Sequence, residues 1–289
     1  MPFQREEIDQ ALLHGLLCDV EVSAPRRKKP WSGMRTIRLV VEYDGSGFHG
    51  LQFQPALRTV AGVLGEAVAT LLRGPVNITA AGRTDAGVHA TAQIASFATQ
   101  SAFPLHKLAP ALNALLPHDL AVREAEEMPA GFSARFSAQA RHYRYAILNR
   151  PQRSALLRTR VHHAWHPIDV EIFNRAARAG LGEHDFRAFC GVLPELGGTV
   201  RLLREFEAER RGELVMVRVS GVGFLHRMVR VLVGTLVEMA QGRRDPDSLR
   251  AILDARDRRR AGYTAPAAGL YFAGVTYEDR TILVEPHLF

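Results

Sequence analysis

The most informative ten residues of the chain are Ala81-Gly82-Arg83-Thr84-Asp85-Ala86-Gly87-Val88-His89-Ala90, which place one carboxylate between an arginine and two glycines. Gly82 and Gly87 can adopt backbone angles that other residues avoid, and they let a ligand approach closely. Arg83 is near enough in sequence to help keep Asp85 ionised. The stretch therefore predicts a functional site, although a tight turn capped by an aspartate would have the same composition.

The composition indicates a globular protein with an anionic partner. The chain has 289 residues, of which 47% are hydrophobic and 23% charged, and this length suits one large domain or two of ordinary size. The net charge is +7, and only three of the 37 basic residues are lysines. Arginine binds phosphate in a bidentate manner and stacks on bases, so this charge favours RNA, DNA or an anionic membrane surface. A GC-rich genome would produce the same arginine content.

Several classes of protein are disfavoured by what the sequence lacks. No stretch reaches the roughly 18 apolar residues of a membrane span, and the first residues do not have the basic and apolar blocks of a secretory signal. Cys18 and Cys190 are the only cysteines, too few for a disulfide framework or a thiolate metal site. We expect a cytoplasmic protein without a membrane segment.

Apolar periodicity predicts a succession of strands and helices. Ile37, Leu39, Val41 and Tyr43 alternate with more polar residues as in a strand, and Thr59 is a plausible N-cap for a following helix. Other strands are predicted near residues 94–97, 141–148, 200–209, 213–220 and 269–276. Other helices are predicted near 105–116 and from about 169, 225 and 245.

Runs of strand and then helix occur twice, which predicts an α+β protein with two similar α/β halves that share a sheet. We place an N-terminal half with the Asp85 loop at residues 34–140 and a C-terminal half at 141–289. Residues 1–33 end in the basic run Pro25-Arg26-Arg27-Lys28-Lys29-Pro30 and are predicted to be a mobile N-terminal arm.

The loop at 81–90 resembles the catalytic motif of the TruA-type tRNA pseudouridine synthases, the pseudouridine synthase I family. Further segments match this family in the same order, over roughly residues 36 to 277. They are Tyr43-Asp44-Gly45-Ser46-Gly47-Phe48, Arg58-Thr59-Val60, Phe132-Ser133-Ala134-Arg135-Phe136-Ser137-Ala138, Arg141-His142-Tyr143-Arg144-Tyr145, Gly182-Glu183-His184-Asp185-Phe186, Phe224 to Gly234, and Gly269-Leu270-Tyr271. Leu51 and Ala61 depart from the family, which usually has Trp and Gln there.

The resemblance implies a fold and a reaction. The fold would be a continuous, mainly antiparallel sheet flanked by helices, with the active-site cleft between the halves. The enzyme would isomerise uridine to pseudouridine at positions 38–40 of the tRNA anticodon stem-loop, with Asp85 as the catalytic carboxylate. It would need no cofactor and no metal, and it would act as a homodimer.

The resemblance also assigns roles to other residues. Arg230 would pair with Asp85, and Tyr143 would stack on the uracil while its hydroxyl assists loss of the C5 proton. Leu270 would pack on the base, and Arg83 would fill the space left by the flipped nucleotide or contact a phosphate. Periodicity alone allows other roles, since Arg230 could lie on the polar face of a helix, and Tyr143 and Leu270 could be core residues.

Two alternatives of a different class remain open. The basic surface would suffice for an RNA-binding or tRNA-folding protein without turnover. His162, His163, His166 and the pair His184-Asp185 suggest a metal-dependent phosphohydrolase, but no further ligands have the spacing of a known metal site. We therefore expect no metal, and we expect His184 to orient a loop and Asp185 to cap the segment that follows it.

Overall fold

The computed structural model describes residues 33–195 and 197–288, and over these residues the chain forms eleven strands and five α-helices around one sheet. The strands are β1 (Arg35–Tyr43), β2 (Thr79–Ala80), β3 (His89–Thr99), β4 (Leu120–Met128), β5 (Ala140–Asn149), β6 (His162–Ala164), β7 (Gly182–Asp185), β8 (Val200–Arg211), β9 (Leu214–Gly221), β10 (Leu270–Thr276) and β11 (Thr281–Leu283). The helices are α1 (Val60–Leu72), α2 (Leu105–Asn113), α3 (Val170–Arg178), α4 (Met228–Ala240) and α5 (Leu249–Ala255). Apart from Gly33, the predicted N-terminal arm lies outside the described residues.

The sheet has the strand order β4-β1-β3-β10-β5-β9-β8-β7, with β2, β6 and β11 paired at its sides. Its pairs are antiparallel except for β3 with β10 and β5 with β6. The late strand β10 lies between β3 and β5, so a strand from near the end of the chain pairs with two much earlier strands. This confirms the predicted α+β fold with a mainly antiparallel sheet. The boundary between the halves at residues 140 and 141 stays a prediction.

Strand β5 shows how alternation sorts side chains between the two faces of the sheet. Tyr143, Tyr145 and Ile147 belong to the large buried cluster that also contains the buried residues of all five helices. Ala146 and Leu148 belong to a second cluster on the opposite face, which contains no helical residue. The helices therefore cover the face of the sheet to which Tyr143 belongs. No helix in the described part of the chain is both long enough and apolar enough to span a membrane.

Helix α4 begins three residues later than its periodicity predicts. Arg227 has a φ of 59°, in the left-handed region, so the regular helix starts at Met228 rather than at Leu225. The residues before it form a loop instead of a first turn. This places Arg230 in the first turn of α4 and leaves His226 on the loop.

The other difference at a helix start lies at Asp245. Pro246 begins a 3-10 turn, capped by the Asp245 carboxylate that accepts from the Asp247 amide at 3.0 Å, and α5 starts only at Leu249. Strand β4 is not predicted by alternation, because its sequence is rich in charged residues. These charges are tolerated since β4 is at the edge of the sheet, where Glu126 and Glu127 pair with Arg38 and Arg35 of β1.

Gly234 lets α4 pack tightly against the chain at Tyr263. A Cβ atom at this position would overlap the Tyr263 carbonyl oxygen. We expect Gly234→Ala to cost about 1–3 kcal/mol of stability, as for other overpacked sites, and to lower the melting temperature by about 3–10 °C. Thermal unfolding measures this. The matched control is Gly65→Ala in α1, where the nearest atom, Ile78 Cγ1, is 3.8 Å away. An equal loss in both variants would contradict the packing argument.

Candidate active site

The loop that carries Asp85 is held in place by backbone and hydroxyl contacts. The Tyr43 hydroxyl and the Thr84 hydroxyl are hydrogen-bonded at 2.8 Å in the buried interior. The side-chain amide of Gln93 donates to the Gly82 carbonyl at 2.9 Å. Beyond Asp85, the Gly87 amide donates to the Phe48 carbonyl at 3.4 Å. Since the loop is anchored before and after Asp85, the carboxylate is presented from a fixed backbone, and it is 22% exposed.

The two glycines that flank Asp85 are needed for different reasons. Gly87 has a φ of 78°, which disfavours a residue with a side chain. Gly82 has no positive φ, but a Cβ there would lie 2.8 Å from a ring carbon of Phe272. The prediction of unusual backbone angles therefore holds at Gly87, while Gly82 provides room for an aromatic ring of β10.

Arg230 supplies the charge partner of Asp85. Its Nη1 donates to Asp85 Oδ2 at 2.7 Å, and its Nε donates to the Ala265 carbonyl at 2.8 Å. The Ala265 amide in turn donates to the Arg230 carbonyl at 3.0 Å. Arg230 is 14% exposed, so the ion pair is partly shielded from water, and loss of one partner would leave the other charge poorly solvated.

Arg83 does not take the role first suggested by its position beside Asp85. Its side chain is exposed, and within residues 33–195 and 197–288 it forms no hydrogen bond or ion pair with Asp85. The charge partner comes from α4, which is 145 positions away along the chain. The Arg83 guanidinium is left available to contact a ligand.

His226 is a neighbour of Asp85 that the sequence does not single out. Its Nε2 lies 3.7 Å from Asp85 Oδ1, too far for a hydrogen bond, and the side chain is 38% exposed. The two carboxylate oxygens therefore differ, since Oδ2 is bonded to Arg230 and Oδ1 faces the imidazole. His226 lies four residues before Arg230, but this spacing does not place the two side chains on one helix face, because α4 begins only at Met228.

Tyr143 is one of three aromatic rings that form a wall beside the loop. It is 7% exposed, and its ring meets those of Phe224 and Phe272 edge to face, at centroid distances of 4.9 Å and 5.2 Å. Burial raises the pKa of Tyr143 above its ordinary value near 10, and the charge of Asp85 acts in the same direction. The hydroxyl is therefore protonated at neutral pH.

Leu270 lies on β10 opposite Tyr145 and next to this wall. It is 5% exposed and belongs to the large core cluster. The structure thus brings Asp85, Arg230 and Tyr143 together, with Leu270 in the neighbouring register and Arg83 at the surface. Tyr143 and Leu270 are both buried as core residues are, and their roles in a site stay predictions.

Two of the histidines that suggest a metal site, His163 and His184, serve the backbone instead. His163 Nε2 is 2.8 Å from the Arg150 carbonyl, and His184 Nε2 is 2.8 Å from the Leu181 carbonyl. Asp185 accepts from the Arg187 amide at 3.0 Å at the start of the next 3-10 turn, whose N-cap residue is Phe186. Among the residues that the structure describes, no three His, Cys, Asp or Glu side chains are grouped so that they could hold a metal ion.

Comparison with known proteins gives the class of this molecule. The sequence profile of a family described as tRNA pseudouridine synthase matches residues 39–137 and 176–278. A profile that matches in two parts agrees with a fold of two similar halves around a shared sheet. The fold and this match define an RNA-modifying isomerase.

Relatives along most of the chain lead to the family. The chain is 41% identical over 244 residues to tRNA pseudouridine synthase A of Acetivibrio thermocellus, which covers 84% of this chain and 100% of the relative. It is 42% identical to the protein of that name in Geotalea uraniireducens, with the same coverage, and 43% identical over 238 residues to that of Halalkalibacterium halodurans, which covers 82% and 90%. The chain belongs to the tRNA pseudouridine synthase family, and it is an isomerase that acts on tRNA.

Proposed function

We propose that this enzyme converts uridine to pseudouridine at positions 38–40 of the tRNA anticodon stem-loop, with Asp85 as the catalytic carboxylate. The observation that carries the proposal is the 2.7 Å ion pair between Asp85 and Arg230 beside the aromatic wall, in a chain of this family. The reaction requires one ionised carboxylate next to a site for a planar base. Asp85 is the carboxylate beside Tyr143 that meets both conditions.

The chemistry is an isomerisation that needs no oxidant or reductant. The bond from N1 to C1′ breaks, the base turns, C5 bonds to C1′, and the hydrogen on C5 leaves as a proton while N1 gains one. Asp85 acts either as the nucleophile at C1′ or as the base that removes a sugar proton. Because Asp85 Oδ2 accepts a hydrogen bond from Arg230, Asp85 Oδ1 is the oxygen that is free to react.

The target uridine must leave its stack to reach Asp85, because a base inside a stem is not accessible to the carboxylate. Tyr143 and Leu270 would contact the flipped base, and Phe272 and Phe224 would support the Tyr143 ring. The exposed Arg83 would fill the vacated space or contact a phosphate. Its lack of an ion pair with the described residues leaves its charge available for RNA.

We also propose that the enzyme acts in the cytoplasm as a homodimer, with one tRNA lying across both subunits. No cofactor is required by the chemistry above. The net charge of +7 supports a polyanionic ligand, since phosphate contacts dominate the affinity of such complexes.

The test of the proposed positions uses unmodified tRNA labelled with tritium at uridine C5. Release of tritium should depend on uridines at positions 38–40, and substrates with cytidine at all three should release none. Release that persists in those substrates would reject the proposed positions. A protein that binds the tRNA but releases no tritium would support the non-catalytic alternative.

Replacement of Tyr143 by phenylalanine should separate stacking from proton transfer. The variant keeps the ring and loses the hydroxyl, so we expect tritium release to slow about 100-fold, as for other losses of a general acid or base. The affinity for tRNA should not change. The control is Tyr145→Phe, on the same face of β5, whose hydroxyl donates to the Pro266 carbonyl at 2.8 Å. Full activity of Tyr143→Phe would assign the residue to stacking alone.

A further inference from the structure

Arg141 makes an unusual set of contacts on β5, two residues before Tyr143. Its guanidinium donates four hydrogen bonds, all to backbone carbonyls. Nε donates to Ala81 at 3.2 Å, Nη1 to Ala138 at 3.1 Å and to Val222 at 2.6 Å, and Nη2 to Arg135 at 2.6 Å. Four of the five donors of the side chain are therefore used on main-chain groups.

Two of the four carbonyls belong to loops that carry the proposed site. Ala81 begins the loop that presents Asp85, and Val222 begins the connection from β9 to α4, which carries His226 and leads to Arg230. Arg135 and Ala138 lie on the segment between β4 and β5. One side chain thus connects the loop of the carboxylate to the loop that leads to its charge partner.

The charge of Arg141 is not balanced by a carboxylate. Burial lowers the pKa of Arg141, and the charged or titratable groups that face it are Tyr143, Tyr277 and Arg135. Within residues 33–195 and 197–288 it forms no ion pair with a carboxylate. A guanidinium stays protonated in proteins, so a cation is held among carbonyl groups.

The buried arginines of the sheet differ from the half-buried Arg141. Arg38 is 1% exposed and pairs with Glu126 and Asp279, and Arg144 is buried and pairs with Glu285 at 2.7 Å. These residues satisfy their charge locally. Arg141 instead directs its donors to the loops of the site, which requires the planar, multiply donating group of arginine.

We propose that Arg141 is a positioning residue for catalysis, which sets the Asp85 loop against the loop that leads to Arg230 through these four carbonyl contacts. The inference rests on the proposed role of Asp85. Lysine cannot replace the arginine, because a single ammonium group has three donors and cannot reach four separated carbonyls at once. A displacement of about 1 Å at a reacting group can lower a rate about 100-fold, so loosened loops would reduce turnover while RNA contacts elsewhere persist.

The experiment compares Arg141→Gln, Arg141→Lys and Arg144→Gln by tritium release and thermal unfolding. We expect both Arg141 variants to lose about 100-fold in kcat, with KM and tRNA affinity nearly unchanged. Arg144→Gln is the matched control, because it removes a buried arginine from the opposite face of the same strand. It should lose as much thermal stability and keep the kcat of the original enzyme.

Three results would overturn the proposal. They are an unchanged kcat in Arg141→Gln, an equal loss of kcat in Arg144→Gln, and global unfolding of both Arg141 variants, which would make the residue a general requirement of the fold. Asp85→Asn is measured in the same assay. If it remained active, the proposed function would fail, whatever the Arg141 variants show.

Discussion

Asp85→Asn should lower tritium release from C5-labelled tRNA by at least about 1,000-fold, while the affinity for the same tRNA changes by less than about threefold. Asparagine has almost the same shape as aspartate but carries no charge, so it serves neither as nucleophile nor as base. The Tyr43, Thr84 and Gln93 contacts that hold the loop do not involve the Asp85 side chain. The fold of the loop should therefore survive the substitution.

The measurement for Asp85→Asn combines single-turnover tritium release with tRNA binding at one fixed salt concentration. The matched control is Asp279→Asn, which removes another carboxylate paired with an arginine, on the Arg38 network. Its release should equal that of the original enzyme per folded molecule. Turnover in Asp85→Asn near the original rate would mean that another group performs the chemistry.

Arg230→Met is expected to have the second largest effect, a fall in kcat of at least about 100-fold. The substitution keeps much of the apolar stem and leaves the Asp85 carboxylate without its 2.7 Å partner. Removing one member of a shielded pair costs about 3–5 kcal/mol when the other charge stays buried, and less here because Asp85 is 22% exposed. The hydrogen-bonded contact that oriented the carboxylate is lost, so turnover should fall more than tRNA affinity.

To test Arg230→Met, kcat and tRNA affinity are measured on the variant. A cooperative thermal unfolding transition first shows that the variant is folded. Arg244→Met is the control, because Arg244 pairs at 3.0 Å with Glu238 near the other end of α4. Loss of that pair should lower stability without a change in kcat. If Arg230→Met kept the kcat of the original enzyme, the ion pair between Arg230 and Asp85 would have no role in the mechanism.

Much of the local structure is predictable from the sequence. The alternation of Ile37, Leu39 and Val41 corresponds to β1, and the hydroxyl of Thr59 caps α1 by accepting from the Gly62 amide at 3.3 Å. Such features depend on residues a few positions apart, where side-chain periodicity and capping act directly. Strand β4 and the short strands β2, β6, β7 and β11 are not predicted. In β4 the charged residues are tolerated only because the strand lies at the sheet edge.

The candidate site is predictable only in part. Gly82, Asp85 and Gly87 are adjacent, so their composition alone indicates a site, and the family resemblance adds Arg230 and Tyr143. The position of His226 beside Asp85 and the four carbonyl contacts of Arg141 cannot be predicted from neighbouring residues in the sequence. A side chain that donates to main-chain groups can pair with any sequence, and therefore the residues at positions 81, 135, 138 and 222 carry no trace of the contact.

The sequence by itself determined most of the longer strands and helices, the position of the Asp85 loop and the basic charge of the protein, because each depends on neighbouring residues or on composition. Only the tertiary structure decided that β10 lies between β3 and β5, that Arg230 rather than Arg83 reaches Asp85, and that Tyr143 is both buried and part of the wall beside the carboxylate. These facts depend on how distant segments pack. The direction of a side chain follows from the whole sheet and its helices, and not from the spacing of residues along the chain.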